Sequence, residues 1–112
     1  MKSATGSHTG TGTWLVQRAT AVLLALAVPA LAVRLLGALP VDFPGWRALF
    51  APLWVRALLL LTMTALALHA WVGMRDIFMD YVHPVWLRLA LYLAVIVTLA
   101  ASEIVLLMAL WP

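Results

Sequence analysis

One histidine lies inside a long apolar stretch of this chain. His69 belongs to an uncharged run over residues 57–74, which is long enough to cross a lipid bilayer as a helix. Ionisable groups are costly inside such a segment and usually have a function. A neutral imidazole is a common ligand for metal ions and haem iron. It can also hold two transmembrane helices together through a hydrogen bond, so the residue type leaves both roles open.

Helical spacing places several other reactive side chains in relation to His69. At about 100° per residue, Gly73, Asp76 and Asp80 return to within roughly 40° of the histidine face. Tyr81 is rotated by about 120° and lies about 18 Å further along the helix axis. We therefore predict two sites, one at lipid depth around His69 and one at the membrane edge around Asp80 and Tyr81.

Each of these residues also has a purely structural interpretation. Gly73 either gives a flat ring close access to the backbone or allows close helix packing, which spacing alone favours. Asp76 and Asp80 are compatible with surface charges at a helix end. Tyr81 fits the belt of aromatic residues at a membrane surface. Without further context the structural interpretation is favoured for each of these residues.

Composition indicates one small integral membrane domain. Apolar residues make up 66% of the 112 residues, whereas a soluble domain has about 45–50%. The net charge of +3 comes from Lys2 and six arginines that flank the apolar runs, which argues against nucleic-acid binding. The chain has no cysteine, which excludes thiolate metal sites and covalently attached haem.

The apolar runs predict an all-α fold with three transmembrane helices. A small, polar and Gly-rich segment, residues 1–13, predicts a flexible tail, and residues 14–112 form the anchor domain. The predicted spans cover about residues 14–39, 52–81 and 84–111, with a break at His83-Pro84. The loop over residues 40–56 is rich in proline and tryptophan, which predicts an interfacial segment with a short surface helix.

The first apolar run has a competing interpretation as a secretory signal. Ala30-Leu31-Ala32 has the pattern of a cleavage site. The long polar lead before the run favours an uncleaved span. Pro29 predicts a loosened or kinked helix there.

The residues around His69 also resemble a known signature. The run His69-Ala-Trp-Val-Gly-Met, followed by Asp80-Tyr81-Val-His-Pro84, is similar to the succinate dehydrogenase hydrophobic membrane anchor subunit. This family provides the smaller membrane subunit of succinate:quinone oxidoreductase, respiratory complex II. The resemblance extends to Arg18-Ala-Thr-Ala in the first span and to Leu87-Arg88-Leu in the third, so it covers most of the chain.

The resemblance implies a role for each matching residue. His69 would be an axial ligand to the iron of haem b, and the second axial histidine would come from the companion cytochrome b subunit. Arg18 would lie near the haem propionates, and Gly73 would give the ring clearance. Tyr81 would donate a hydrogen bond to a carbonyl of ubiquinone or menaquinone, with Asp80 as its acidic neighbour. The haem would bridge this chain and its partner in one helical bundle.

The implied function is electron transfer from succinate to quinone, in the tricarboxylic acid cycle and the respiratory chain. A flavoprotein subunit and an iron–sulfur subunit would complete the complex, so the chain alone is not an enzyme. The resemblance implies a multi-pass protein among the lipids of a bacterial inner membrane, with a cytoplasmic N-terminus. The alternatives are a structural accessory subunit of another respiratory complex and a small multidrug-type transporter.

Three residues depart from the pattern. His83 stands where relatives often have a basic residue, and Pro29 has no counterpart. Glu103 is unusual in a third span, and we predict that it pairs with Arg34 or Arg56 on the same side of the membrane.

Overall fold

The computed structural model describes residues 10–111, and this part of the chain is all-helical. Its four helices are α1 (Gly10–Ala38), α2 (Phe43–Leu49), α3 (Leu53–Tyr81) and α4 (Val85–Leu110). Within these residues α1, α3 and α4 are each long and apolar enough to cross a membrane. At 1.5 Å per residue they extend about 39–44 Å, more than the roughly 30 Å of a hydrocarbon core. The predicted all-α fold with three spans is confirmed.

The first helix begins before its predicted start. It includes residues 10–13, where the Thr13 hydroxyl donates to the carbonyl oxygen of Gly10 at 3.2 Å. The rest of the predicted tail, residues 1–9, lies outside the described residues. The helix also continues through Pro29 to Ala38, so this proline does not end it. A transmembrane helix tolerates proline where neighbouring groups satisfy the freed backbone carbonyl.

The connection between α3 and α4 lies where the sequence predicts it. Val82 leaves the helical conformation with φ −107° and ψ 104°, and Pro84 caps α4 with φ −63° and ψ 124°. Proline disfavours a helical conformation in the residue before it, which accounts for the break. Tyr81 is therefore the last residue of α3.

The short helix α2 lies in the predicted interfacial loop. Its N-terminus is capped by Asp42, whose carboxylate accepts a hydrogen bond from the backbone N–H of Gly45 at 2.9 Å. At the C-terminal end of α2, the carbonyl oxygen of Leu49 accepts a hydrogen bond from the Arg34 guanidinium at 3.0 Å. A cation is favourable there because the last carbonyls of a helix carry partial negative charge. The Arg34 bond ties α2 to the end of α1.

Helix α3 is the centre of the bundle and packs against both α1 and α4. The buried side chains of α1 and α3 are mainly small or β-branched, which lets helix backbones approach closely. They are Thr20, Ala27 and Leu31 on α1, and Val55, Thr62, Ala65 and Val72 on α3. Among the described residues α4 contributes no buried side chain. Much of its apolar surface is thus available to lipid or to a partner chain.

Candidate functional site

The His69 side chain contacts α1 through Thr20. Its Nδ1 atom lies 3.1 Å from the Thr20 hydroxyl oxygen, within hydrogen-bonding distance. Thr20 is buried, with 7% of its surface exposed, and His69 is half-buried. The imidazole therefore makes the interhelical bond that the residue type allows. Its other nitrogen, Nε2, has no hydrogen-bond partner among residues 10–111 and is available for a second role.

Gly73 lies one turn after His69, on the face of α3 that meets α1. A Cβ atom added at this glycine would lie 3.8 Å from Nε2 of Gln17, an ordinary van der Waals distance. The Gln17 side-chain oxygen is buried and has no hydrogen-bond partner within residues 10–111. An alanine would therefore fit in place of Gly73, and the approach of α1 does not depend on the glycine. Its predicted role in haem clearance stays a prediction.

Arg18 lies on α1 between Gln17 and Thr20, in the same turn as the contact with His69. Its side chain is exposed, and the guanidinium carbon is 5.7 Å from the centre of the Trp14 ring. Residues two apart on a helix point in different directions, so Arg18 does not face the seam that Thr20 enters. Its predicted contact with a haem propionate stays a prediction.

The predicted edge site lies at the C-terminal end of α3. Asp80 and Tyr81 are the last two residues of the helix, both are exposed, and Tyr81 has 78% of its surface accessible. His83 is also exposed in the connection that follows, and Asp76 lies about one turn before Asp80. The described chain does not enclose the Tyr81 hydroxyl. The predicted role of Asp80 and Tyr81 in a quinone site stays a prediction.

The two groups are well separated because α3 is unbroken between them. His69 and Tyr81 are twelve residues apart in one helix, which corresponds to about 18 Å along the axis. Two aromatic residues between them pack against Tyr92 of α4. The ring centroid of Trp71 lies 5.5 Å from that of Tyr92, and the ring centroid of Phe78 lies 6.1 Å from it. The helix thus carries two separate groups of residues, an inner group around His69 and an edge group around Asp80 and Tyr81 at its end.

The prediction for Glu103 is wrong. The Glu103 carboxyl contacts the Thr64 hydroxyl, with 3.0 Å between their oxygens, rather than pairing with an arginine among the described residues; the same hydroxyl lies 2.8 Å from the Leu60 carbonyl oxygen. Arg34 is bound at the end of α2, and its guanidinium lies over Trp54 at 4.9 Å. Arg56 donates to a backbone carbonyl at 2.7 Å and lies over an aromatic ring at 4.9 Å. Both cations are engaged near the ends of their helices, whereas Glu103 lies about two turns inside α4.

Sequence reasoning missed two residues of the inner group, Thr20 and Gln17. Both lie on α1, and only the register of α1 against α3 brings them to His69 and Gly73. The segment Arg18-Ala-Thr-Ala was part of the resemblance, so it contained the signal for Thr20 without indicating its contact.

Comparison with known proteins identifies the family. Residues 2–102 match the succinate dehydrogenase/fumarate reductase transmembrane subunit family. The chain is also 40% identical over 85 residues to the succinate dehydrogenase hydrophobic membrane anchor subunit of Coxiella burnetii (strain RSA 493 / Nine Mile phase I). That alignment covers 76% of this chain and 74% of the relative. The chain belongs to the succinate dehydrogenase/fumarate reductase transmembrane subunit family.

Proposed function

We propose that this chain is the membrane anchor subunit of succinate dehydrogenase, and that it binds haem b and a quinone together with its partner subunits. Family membership and three apolar helices support a multi-pass membrane subunit. The finer assignment depends on one observation: the Thr20 hydroxyl oxygen lies within hydrogen-bonding distance of His69 Nδ1, and Nε2 of His69 is unengaged within the described residues.

The donor set of the chain fits half of a haem site. Residues 10–111 contain no group of three or more His, Cys, Asp or Glu that could hold a metal ion. An iron already bound in a porphyrin needs only axial ligands, and His69 can supply one of them. A histidine from the cytochrome b subunit would supply the other ligand. With two histidines the haem supplies electron transfer, because no coordination position is left for oxygen.

Arg18 has a place in the same proposal. A guanidinium pairs well with carboxylates such as haem propionates, and Arg18 is exposed on the turn of α1 that contacts His69. The Arg18 guanidinium lies near the Trp14 ring and has no carboxylate partner among residues 10–111. The exposure leaves it accessible to an acidic group at the surface of the bundle.

Tyr81 and Asp80 form the part of the quinone site that this chain contributes. The exposed Tyr81 hydroxyl donates a hydrogen bond to a quinone carbonyl oxygen, which orients the ring at the membrane edge. Quinone reduction consumes two protons, and the neighbouring Asp80 carboxyl provides a group that can transfer them. Either ubiquinone or menaquinone fits this chemistry. The remaining walls of the pocket come from partner subunits.

The chain is not an enzyme by itself in this proposal. Succinate is oxidised on a flavoprotein subunit, and the electrons pass through an iron–sulfur subunit to the quinone beside Tyr81. The complex lies in a bacterial inner membrane, with the N-terminus and the 75–88 segment on the cytoplasmic side and lipid around the exposed helices. Family membership favours this function over an accessory subunit of another complex and over a transporter.

Co-purification tests the assignment. The full chain, tagged and extracted in mild detergent, is expected to bring down a flavoprotein, an iron–sulfur protein and a second membrane subunit. The preparation is expected to reduce a quinone with succinate. A chain that purifies without flavin or iron–sulfur protein, from membranes that retain normal succinate:quinone activity, would contradict the proposal.

A further inference from the structure

We propose that Thr20 is a positioning residue for His69: its hydroxyl oxygen accepts a hydrogen bond from Nδ1–H and so presents Nε2, without a proton, to the haem iron. The proposal rests on the proposed function and adds a residue from α1 to the inner group. It concerns the structure around His69 and makes no use of the edge site.

The direction of this hydrogen bond follows from the position of a single proton. The Thr20 hydroxyl oxygen lies 2.6 Å from the carbonyl oxygen of Val16 and 3.1 Å from that of Gln17. Two oxygens 2.6 Å apart are at the distance of a hydrogen bond, and the carbonyl has no proton to give. The hydroxyl hydrogen therefore points to Val16. Thr20 can only accept from His69, so Nδ1 carries the proton.

This arrangement fixes the form in which the imidazole is available. A neutral histidine has one protonated nitrogen and one that accepts, so a proton on Nδ1 leaves a lone pair on Nε2. The two nitrogens point in widely different directions, which turns Nε2 away from the α1–α3 seam. Metal-bound histidines commonly donate their other N–H to such an acceptor, which sets the tautomer and the ring orientation.

Burial makes Thr20 hard to replace in this role. Only 7% of its surface is exposed, so water does not readily reach Nδ1 if the hydroxyl is lost. The bond from Thr20 to Val16 also polarises the hydroxyl oxygen and strengthens its capacity to accept. The acceptor raises the basicity of the ligand, which favours oxidised iron and lowers the reduction potential.

The test compares three variants in the full complex. Thr20→Val keeps the shape of the side chain and removes the acceptor, whereas Thr20→Ser keeps the acceptor. Thr62→Val is the matched control, because Thr62 is also buried, lies seven residues before His69 on nearly the same face of α3, and its hydroxyl donates to the Leu58 carbonyl oxygen at 2.6 Å in the same helix. The readouts are haem retention, the midpoint potential and the low-temperature electron paramagnetic resonance of the oxidised haem.

We expect Thr20→Val to weaken haem binding by about 10- to 100-fold, the usual effect of losing a hydrogen-bonding partner behind a metal ligand. The haem that remains should have a higher potential and altered resonance positions. Thr20→Ser should restore both, and Thr62→Val should change neither. A Thr20→Val complex with unchanged haem retention, potential and resonance would overturn the proposal, as would a serine variant that behaves like valine.

A second measurement separates this proposal from the haem assignment. Nitrogen-15 magnetic resonance of histidine-labelled complex reports which nitrogen of His69 carries the proton, with or without iron. A proton on Nδ1 that loses its hydrogen-bonded signature in Thr20→Val supports the role of Thr20. A proton on Nε2 in the unsubstituted complex would overturn it. Haem retained in full after His69→Ala would instead refute the proposed ligand.

Discussion

Substitution of Gly73 tests the packing of α1 against α3, on which the inner group depends. The nearest atom to an added Cβ is Nε2 of Gln17 at 3.8 Å. An alanine methyl fits at that distance, and we expect Gly73→Ala to change stability by no more than about 1 kcal/mol. A leucine places three further carbons in the space held by Gln17. Overpacking of this kind lowers the free energy of unfolding by about 1–3 kcal/mol. It would also lengthen the hydrogen bond between Thr20 and His69, which lies one helical turn from Gly73.

Thermal denaturation of the purified complex measures this difference, with haem release as a second signal. Gly37→Leu is the matched control, because a Cβ at Gly37 meets nothing within 4 Å. Adding Gln17→Ala to Gly73→Leu removes the side chain that leucine meets, so the double variant should recover most of the lost stability. If Gly73→Ala is as damaging as Gly73→Leu, or if Gln17→Ala gives no recovery, the packing argument is refuted.

Two further predictions concern the edge site and the polar contact on α4. Tyr81→Phe removes one hydrogen bond to the quinone, worth about 0.5–1.5 kcal/mol, so the apparent affinity for quinone should fall by up to about tenfold. Tyr92→Phe is its control because that ring packs between helices, and equal effects of the two variants in a quinone-reductase titration would contradict the assignment. Thr64→Val leaves the Glu103 carboxylate without its partner, and we expect a loss of about 0.6–1.7 kcal/mol in thermal stability. Thr98→Val should have a smaller effect, since the Thr98 hydroxyl donates only within α4; equal losses would refute an interhelical role for Thr64.

The general fold could be predicted because the sequence pattern that defines each helix lies within that helix or directly beside it. Apolar runs longer than a bilayer crossing define the spans, and Pro84 defines the break between α3 and α4. The separation of His69 from Tyr81 needed only the helical rise and an unbroken helix. The apolar pattern predicts a later start for α1 than the structure has, because polar residues 10–13 can extend a helix whose stability comes from the apolar turns that follow.

The contacts between helices could not be predicted in the same way. Thr20 is 49 residues from His69 in the sequence, and a periodic pattern on one helix does not give its register against another. The same limit explains Glu103. Opposite charge favoured an arginine partner, but the structure brings the Thr64 hydroxyl to it, while Arg34 and Arg56 find backbone carbonyls and aromatic rings near their own helix ends.

Ligation of the haem iron by His69 can be tested through the absorption spectrum of the haem. Reduced-minus-oxidised absorption of the purified complex should show a b-type signal in the unsubstituted protein and in His83→Ala, whose exposed histidine serves as control. His69→Ala should abolish the signal or convert it to that of an iron with an open coordination position, because Nε2 is lost. A b-type signal of unchanged size and shape in His69→Ala would contradict the account.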